Sequence, residues 1–142
     1  MGYCELADIE VYLDADAVTA LADDDGDGTA DAAVISEAIA SAEADIDAYI
    51  SAQYSTPLTT VPVIVRRLAA KLAAHFLYLR RTEVSIPDKW NIEIREVRRM
   101  LESISRGEMQ LGRAAAHQAG DLCLAAKDEE DATFNATVMG NF

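Results

Sequence analysis

Apolar side chains recur at alternating four- and three-residue steps in three successive stretches of this chain, and that period commits it to packed helices. The first stretch, over about residues 31–53, carries Ile35, Ile39, Ala42, Ile46 and Tyr49 on one face, with Gln53 continuing the register. Asp31 at its start suits the positive end of the helix dipole. The second begins near Val61, with Pro62 in its first turn, and carries Val65, Leu68, Leu72, Phe76 and Leu79. Four alanines at 69, 70, 73 and 74 permit close approach of a neighbouring helix, and Arg80 and Arg81 close the element. The third is expected to be capped by Ser85, with Pro87 and Asp88 in its first turn, and carries Trp90, Ile94, Val97, Leu101 and Ile104 before Gly107 stops it. Two shorter helical signals, over residues 5–13 and 16–21, precede them.

Composition agrees with this reading. Three prolines and seven glycines in 142 residues suit helices better than a turn-rich β fold. The apolar fraction of 51% includes 26 alanines, so it reflects helix-forming composition as much as core size. The expected fold is all-α, a small helical bundle of about four to five helices over residues 1–112 with an extended C-terminal arm over 113–142. Residues 128–131 are a run of charge, yet Phe134, Val138, Met139 and Phe142 are apolar residues that a solvated tail does not need. An arm docking on a neighbouring subunit would bury them.

Charge is divided by segment. Residues 1–65 hold 14 acids and no Lys or Arg, residues 66–113 hold 11 bases and six acids, and residues 114–142 hold one base and five acids. The total is −13. Such an acidic chain argues against free-standing nucleic-acid binding and against peripheral attachment to anionic membranes. The longest uncharged stretch, over residues 48–65, contains Ser, Thr, Gln and two prolines and is not expected to cross a bilayer. No basic region followed by an apolar run opens the sequence, so no secretory signal is expected.

The sharpest local motif is Asp23-Asp24-Asp25-Gly26-Asp27-Gly28-Thr29-Ala30-Asp31. Asp23, Asp25 and Asp27 match positions 1, 3 and 5 of an EF-hand-type loop, with Gly28 at the turn. Thr29 can offer its backbone carbonyl, and Asp31 can bind directly or through water. Closely spaced carboxylates repel one another unless a cation offsets them. Val34 stands where a bidentate Glu normally completes the site, so these five residues form an incomplete candidate Ca²⁺ site. Glu37 lies one turn further on. The competing reading is an acidic solvated turn whose aspartates cap the following helix.

Catalytic signatures are missing. Cys4 and Cys123 lie at opposite ends, outside any metal-ligand or CxxC spacing, and His75 and His117 are the only histidines. No phosphate-binding Gly loop, GxSxG or HExxH occurs. The expectation is a non-enzymatic protein with no cofactor other than a candidate Ca²⁺.

Several motifs together resemble a known family. They are Tyr-Cys-x-Leu-Ala-Asp-Ile at 3–9, the aspartate loop itself, Ala-Asp-x-x-Ile-Asp-x-Tyr-Ile at 44–50 and Gln-Tyr-Ser-Thr-Pro-Leu-x-x-Val-Pro at 53–62. Arg-Arg-Leu-Ala at 66–69, Arg-Gly-Glu-Met-Gln-Leu-Gly at 106–112, Phe134 and the closing Gly140-x-Phe142 complete the set. The chain resembles the small head–tail connector (neck or adaptor) proteins of Mu-like prophages, a family long catalogued as of unknown function. That resemblance implies an all-helical adaptor forming a ring between portal and tail. Its partners would be copies of itself, the portal protein and a neck or tail-completion protein. It would be found in the host cytoplasm during assembly and then in the virion neck. It names no active-site residues.

The charge pattern suggests how such a ring could form. Heterologous contacts join one face to a different face of the next subunit, and complementary charge steers them. Candidate interface residues are Arg66, Arg67, Lys71, Arg95, Arg99, Phe134 and Phe142, with Arg98 and Arg106 as further bases and Glu37, Glu43, Asp45 and Asp47 as acids. Remaining acid facing a lumen would repel passing DNA. A calcium-dependent helical interaction module organised by the aspartate loop is the rival reading, and an acidic DNA mimic a third.

Overall fold

The computed structural model describes residues 2–112. Among them are five helices and no strand: α1 (Leu6–Glu10), α2 (Ala15–Ala22), α3 (Ala32–Ile50), α4 (Val63–Arg80) and α5 (Asp88–Ser105). The all-α bundle expected from the periodicity is the observed architecture. The expected C-terminal arm, with Phe134 and Phe142, lies outside the described residues.

Helix α4 is the centre of the bundle and packs against α1, α2, α3 and α5. Its alanines explain how one helix serves four neighbours. Ala69, Ala70, Ala73 and Ala74 are all fully buried, so neighbouring backbones approach it on several sides. Lys71 meets Glu93 and Tyr78 meets Trp90, so α4 and α5 run antiparallel. The start of α3 lies beside the end of α4, where Val34, Glu37, Ala38, Phe76 and Arg80 border one crevice. The long helices thus form an up-and-down stack, with α1 and α2 covering another side of α4.

Helix boundaries shift from the sequence expectations for identifiable reasons. Pro62 is the N-cap of α4 and Pro87 that of α5, each with extended backbone (ψ 149° and 141°), so neither sits inside the first turn. Ser85 is therefore outside α5 and does not cap it. Helix α3 ends at Ile50, and Ser51, Ala52 and Gln53 form a turn whose amide of Gln53 bonds the Ile50 carbonyl at 2.9 Å. Gly107, with φ 75°, adopts the left-handed turn after α5 that a side chain would strain.

Two buried tyrosines hold the connecting segments. Tyr3 donates its backbone N–H to Glu43 and its hydroxyl to Asp47, and its hydroxyl accepts the Leu58 N–H at 2.8 Å. One side chain thereby joins the N-terminus, α3 and the α3–α4 loop. Tyr54 accepts the Leu111 N–H at 3.0 Å, returning the segment after α5 to the end of α3.

Candidate functional site

The aspartate loop joins α2 to α3, and its backbone is organised by its own carboxylates. Asp23 accepts N–H bonds from Gly26 at 2.7 Å and Gly28 at 3.0 Å. Asp25 accepts from Asp27 N–H at 3.1 Å, and Asp27 accepts from both the N–H and the hydroxyl of Thr29. Gly26 and Gly28 adopt φ values of 77° and 83°, which let the chain curl tightly enough for these contacts. The N–H groups of Gly28 and Gly26 hold the Asp23 carboxyl below its usual range.

Of the five residues singled out in the sequence, three converge. Carboxylate oxygens of Asp23, Asp25 and Asp27 lie within 4.8 Å of one another. Thr29 sits beside Asp27. Asp31 is turned to another task, accepting the Asp24 N–H at 3.0 Å. It occupies the N-cap of α3 but makes no side-chain capping bond. Val34 is buried in the core, and Glu37 is exposed on α3 beside Arg80.

The residue that fixes the loop to the bundle is Asp24. Arg80 grips its carboxylate with two guanidinium N–H groups, and Arg81 approaches the same group at 3.4 Å. Both arginines also donate to the Leu21 carbonyl, and Arg81 donates to the Asp23 carbonyl. These bonds satisfy acceptors that the C-terminal end of α2 leaves without helical partners. Arg80 therefore holds the Asp24 carboxyl below its usual range. Reading Arg80 and Arg81 only as cations at a helix end missed this clamp. The available signal was an Arg-Arg pair in a chain whose first 65 residues hold no base.

The basic side chains divide into two groups. Lys71 is half-buried, bonds Glu93 at 2.6 Å and lies 5.4 Å from the centre of the Tyr12 ring, so it is engaged within the subunit. Arg66, Arg67, Arg95 and Arg98 are exposed and pair with no carboxylate among the described residues. Arg99 and Arg106 make surface pairs with Glu96 at 3.2 Å and Glu102 at 3.8 Å. Among the acids, Glu43 and Asp47 are occupied by Tyr3, whereas Glu37 is exposed and Asp45 half-buried. Phe134 and Phe142 lie outside the described residues.

Cys4 is a free, buried thiol pushed up to about 12, chiefly by burial, so it holds its proton at neutral pH. His75 is buried on α4, and desolvation together with the Arg98 charge holds it below its usual range. No helix among the described residues is long and apolar enough to cross a membrane.

A small bundle of packed helices with a structured acidic loop is thus the class of protein defined here. The family model described as bacteriophage Mu, Gp36 matches residues 3–130, and the chain belongs to that family of Mu-like phage proteins. No curated protein matches the chain.

Proposed function

We propose that this chain is a non-enzymatic head–tail connector that assembles as a ring between the portal and the tail. Its partners are copies of itself, the portal protein and a neck or tail-completion protein. It works in the host cytoplasm during assembly and in the virion neck afterwards. Membership of the Mu Gp36 family supports a phage role. The observation that carries the assembly reading is the set of exposed arginines, Arg66, Arg67, Arg95 and Arg98, without partners among the described residues of a chain carrying −13. An acidic protein whose described residues leave four arginines without a carboxylate partner offers cationic surface to an acidic one. Heterologous contacts between different faces generate rings when the rotation closes.

Native mass spectrometry of the chain, alone and with portal particles, tests this reading. Ring-sized species that dissociate with rising salt and are lost in R66E/R67E support it. A chain that stays monomeric with portal present, or assembly indifferent to salt, overturns it.

The convergence of Asp23, Asp25 and Asp27 favours a second reading, a calcium-binding helical interaction module. It predicts heat on calorimetric titration with millimolar Ca²⁺. Silence in that titration removes it.

A further inference from the structure

The side of the α4–α5 pair carries a groove of about 490 Å³ lined by His75, Asp88, Asn91, Ile92, Arg95 and Arg98. Two arginines and one carboxylate line it, and both guanidinium groups are without an ion-pair partner among the described residues. His75 is only 7% exposed and borders the groove. A buried imidazole, two unpaired guanidinium groups and the exposed Ile92 side chain together suit a ligand that brings carboxylates and some apolar surface. The chain contains such a ligand. Asp128, Glu129, Glu130 and Asp131 are consecutive, and Phe134 follows three residues later.

We infer that residues 128–131 dock in this groove of the same subunit, placing carboxylates against Arg95, Arg98 and His75. The reach is sufficient. Residues 113–127 span up to about 50 Å when extended, whereas Asp88 and Arg98 lie only about 25 Å and 10 Å along the helix from Ser105. Tethering favours the subunit's own segment over a second copy, because a linked ligand acts at an effective concentration of about millimolar order. Asp88 opposes the docked acids, and the Asn91 amide can donate to them. The inference does not depend on the connector reading. If that reading holds, docking covers in the free subunit two arginines that a neighbour would otherwise meet.

Side-chain NMR on the full chain tests this, comparing it with D128N/E129Q/E130Q/D131N. Neutralising the segment should shift the Arg95 and Arg98 Nε–Hε signals and the Ile92 methyl signals, leaving the core methyls of Ile46 in place. The shifts should persist on tenfold dilution. Unchanged arginine signals overturn the inference. A difference that vanishes on dilution also overturns it, since the occupant would then be a second copy. An R95Q/R98Q variant gives an independent readout. Ile92 should respond to the segment substitutions in the parent chain and lose that response when both arginines are neutral.

Discussion

Asp24 and Arg80 stand 56 residues apart and meet through two hydrogen bonds, Nη1 to Oδ1 at 3.0 Å and Nη2 to Oδ2 at 2.5 Å. This pair ties the aspartate loop to the end of the central helix. D24N should therefore loosen the loop without disturbing the core, lowering Tm at pH 7 by on the order of 2–5 °C. The pH dependence has a fixed sign. Arg80 holds the Asp24 carboxyl below its ordinary value of 3.8, so the stabilisation is complete above that value and is lost as pH falls through the lower folded value. The difference between parent and D24N in a thermal melt should be full at pH 7 and should close as pH falls below 3.8 through the lower folded value.

Tyr3 carries a larger share of the fold than its place near the terminus suggests. Its side chain is 2% exposed, and removal of the hydroxyl strands both the Leu58 N–H and the Asp47 carboxylate. Y3F should cost about 1–3 kcal/mol in urea unfolding, the usual penalty for leaving buried polar groups unmade. Burial and then the bond to Asp47 push the phenol up to about 12 from 10.0. A raised phenol favours the protonated folded state, so its contribution is present below pH 10 and lost as pH rises toward 12. Y3F should lack this part of the alkaline loss.

The helices were legible in the sequence because each long one keeps an apolar period, but the position of the buried surface was only half legible. Val34, Ala38 and Ile50 are buried on α3, while Ile39 and Tyr49 of the expected stripe are only partly covered. On α4, Leu79 is 51% exposed whereas Ala70 and Ala74 are fully buried. A single stripe presumes a single neighbour, and α4 has four. The aspartate loop was legible as a motif, since three closely spaced carboxylates and two glycines dictate its curl. The direction of Asp31 and the clamp on Asp24 depend on partners seven and 56 residues away, which local spacing does not encode.

On the connector reading, Lys71 separates stability from assembly. Its amine lies between Glu93 and the Tyr12 ring, and its side chain is 20% exposed. K71M keeps the aliphatic stem and removes the charge, so it should cost about 1 kcal/mol or less, given the screening of the more exposed Glu93. Its ring formation on portal particles should match the parent. R66E/R67E should show the opposite pattern, with an unchanged melting temperature and lost assembly, because both arginines are exposed and pair with no described carboxylate. Light scattering beside thermal melts reads both effects on the same samples.

The aspartate loop gives the last prediction. Three carboxylates within 4.8 Å supply hard oxygens and mutual repulsion, both of which favour a divalent cation. On the calcium-binding reading, two features hold the affinity down. Asp31 is bound to the Asp24 N–H, and Val34 at the twelfth position is buried in the core, so a carboxylate cannot be installed there without burying charge. Glu37 borders a crevice with Arg80 and is not among the converging carboxylates, so it offers no substitute. Millimolar Ca²⁺ should therefore raise Tm only slightly, by about 2–4 °C, and D25N/D27N should abolish the rise. D24N tests the same site from outside. By removing the carboxylate that Arg80 grips it should loosen the loop and weaken the Ca²⁺ response, whereas an undiminished response in D24N would show that the arginine clamp does not shape the site.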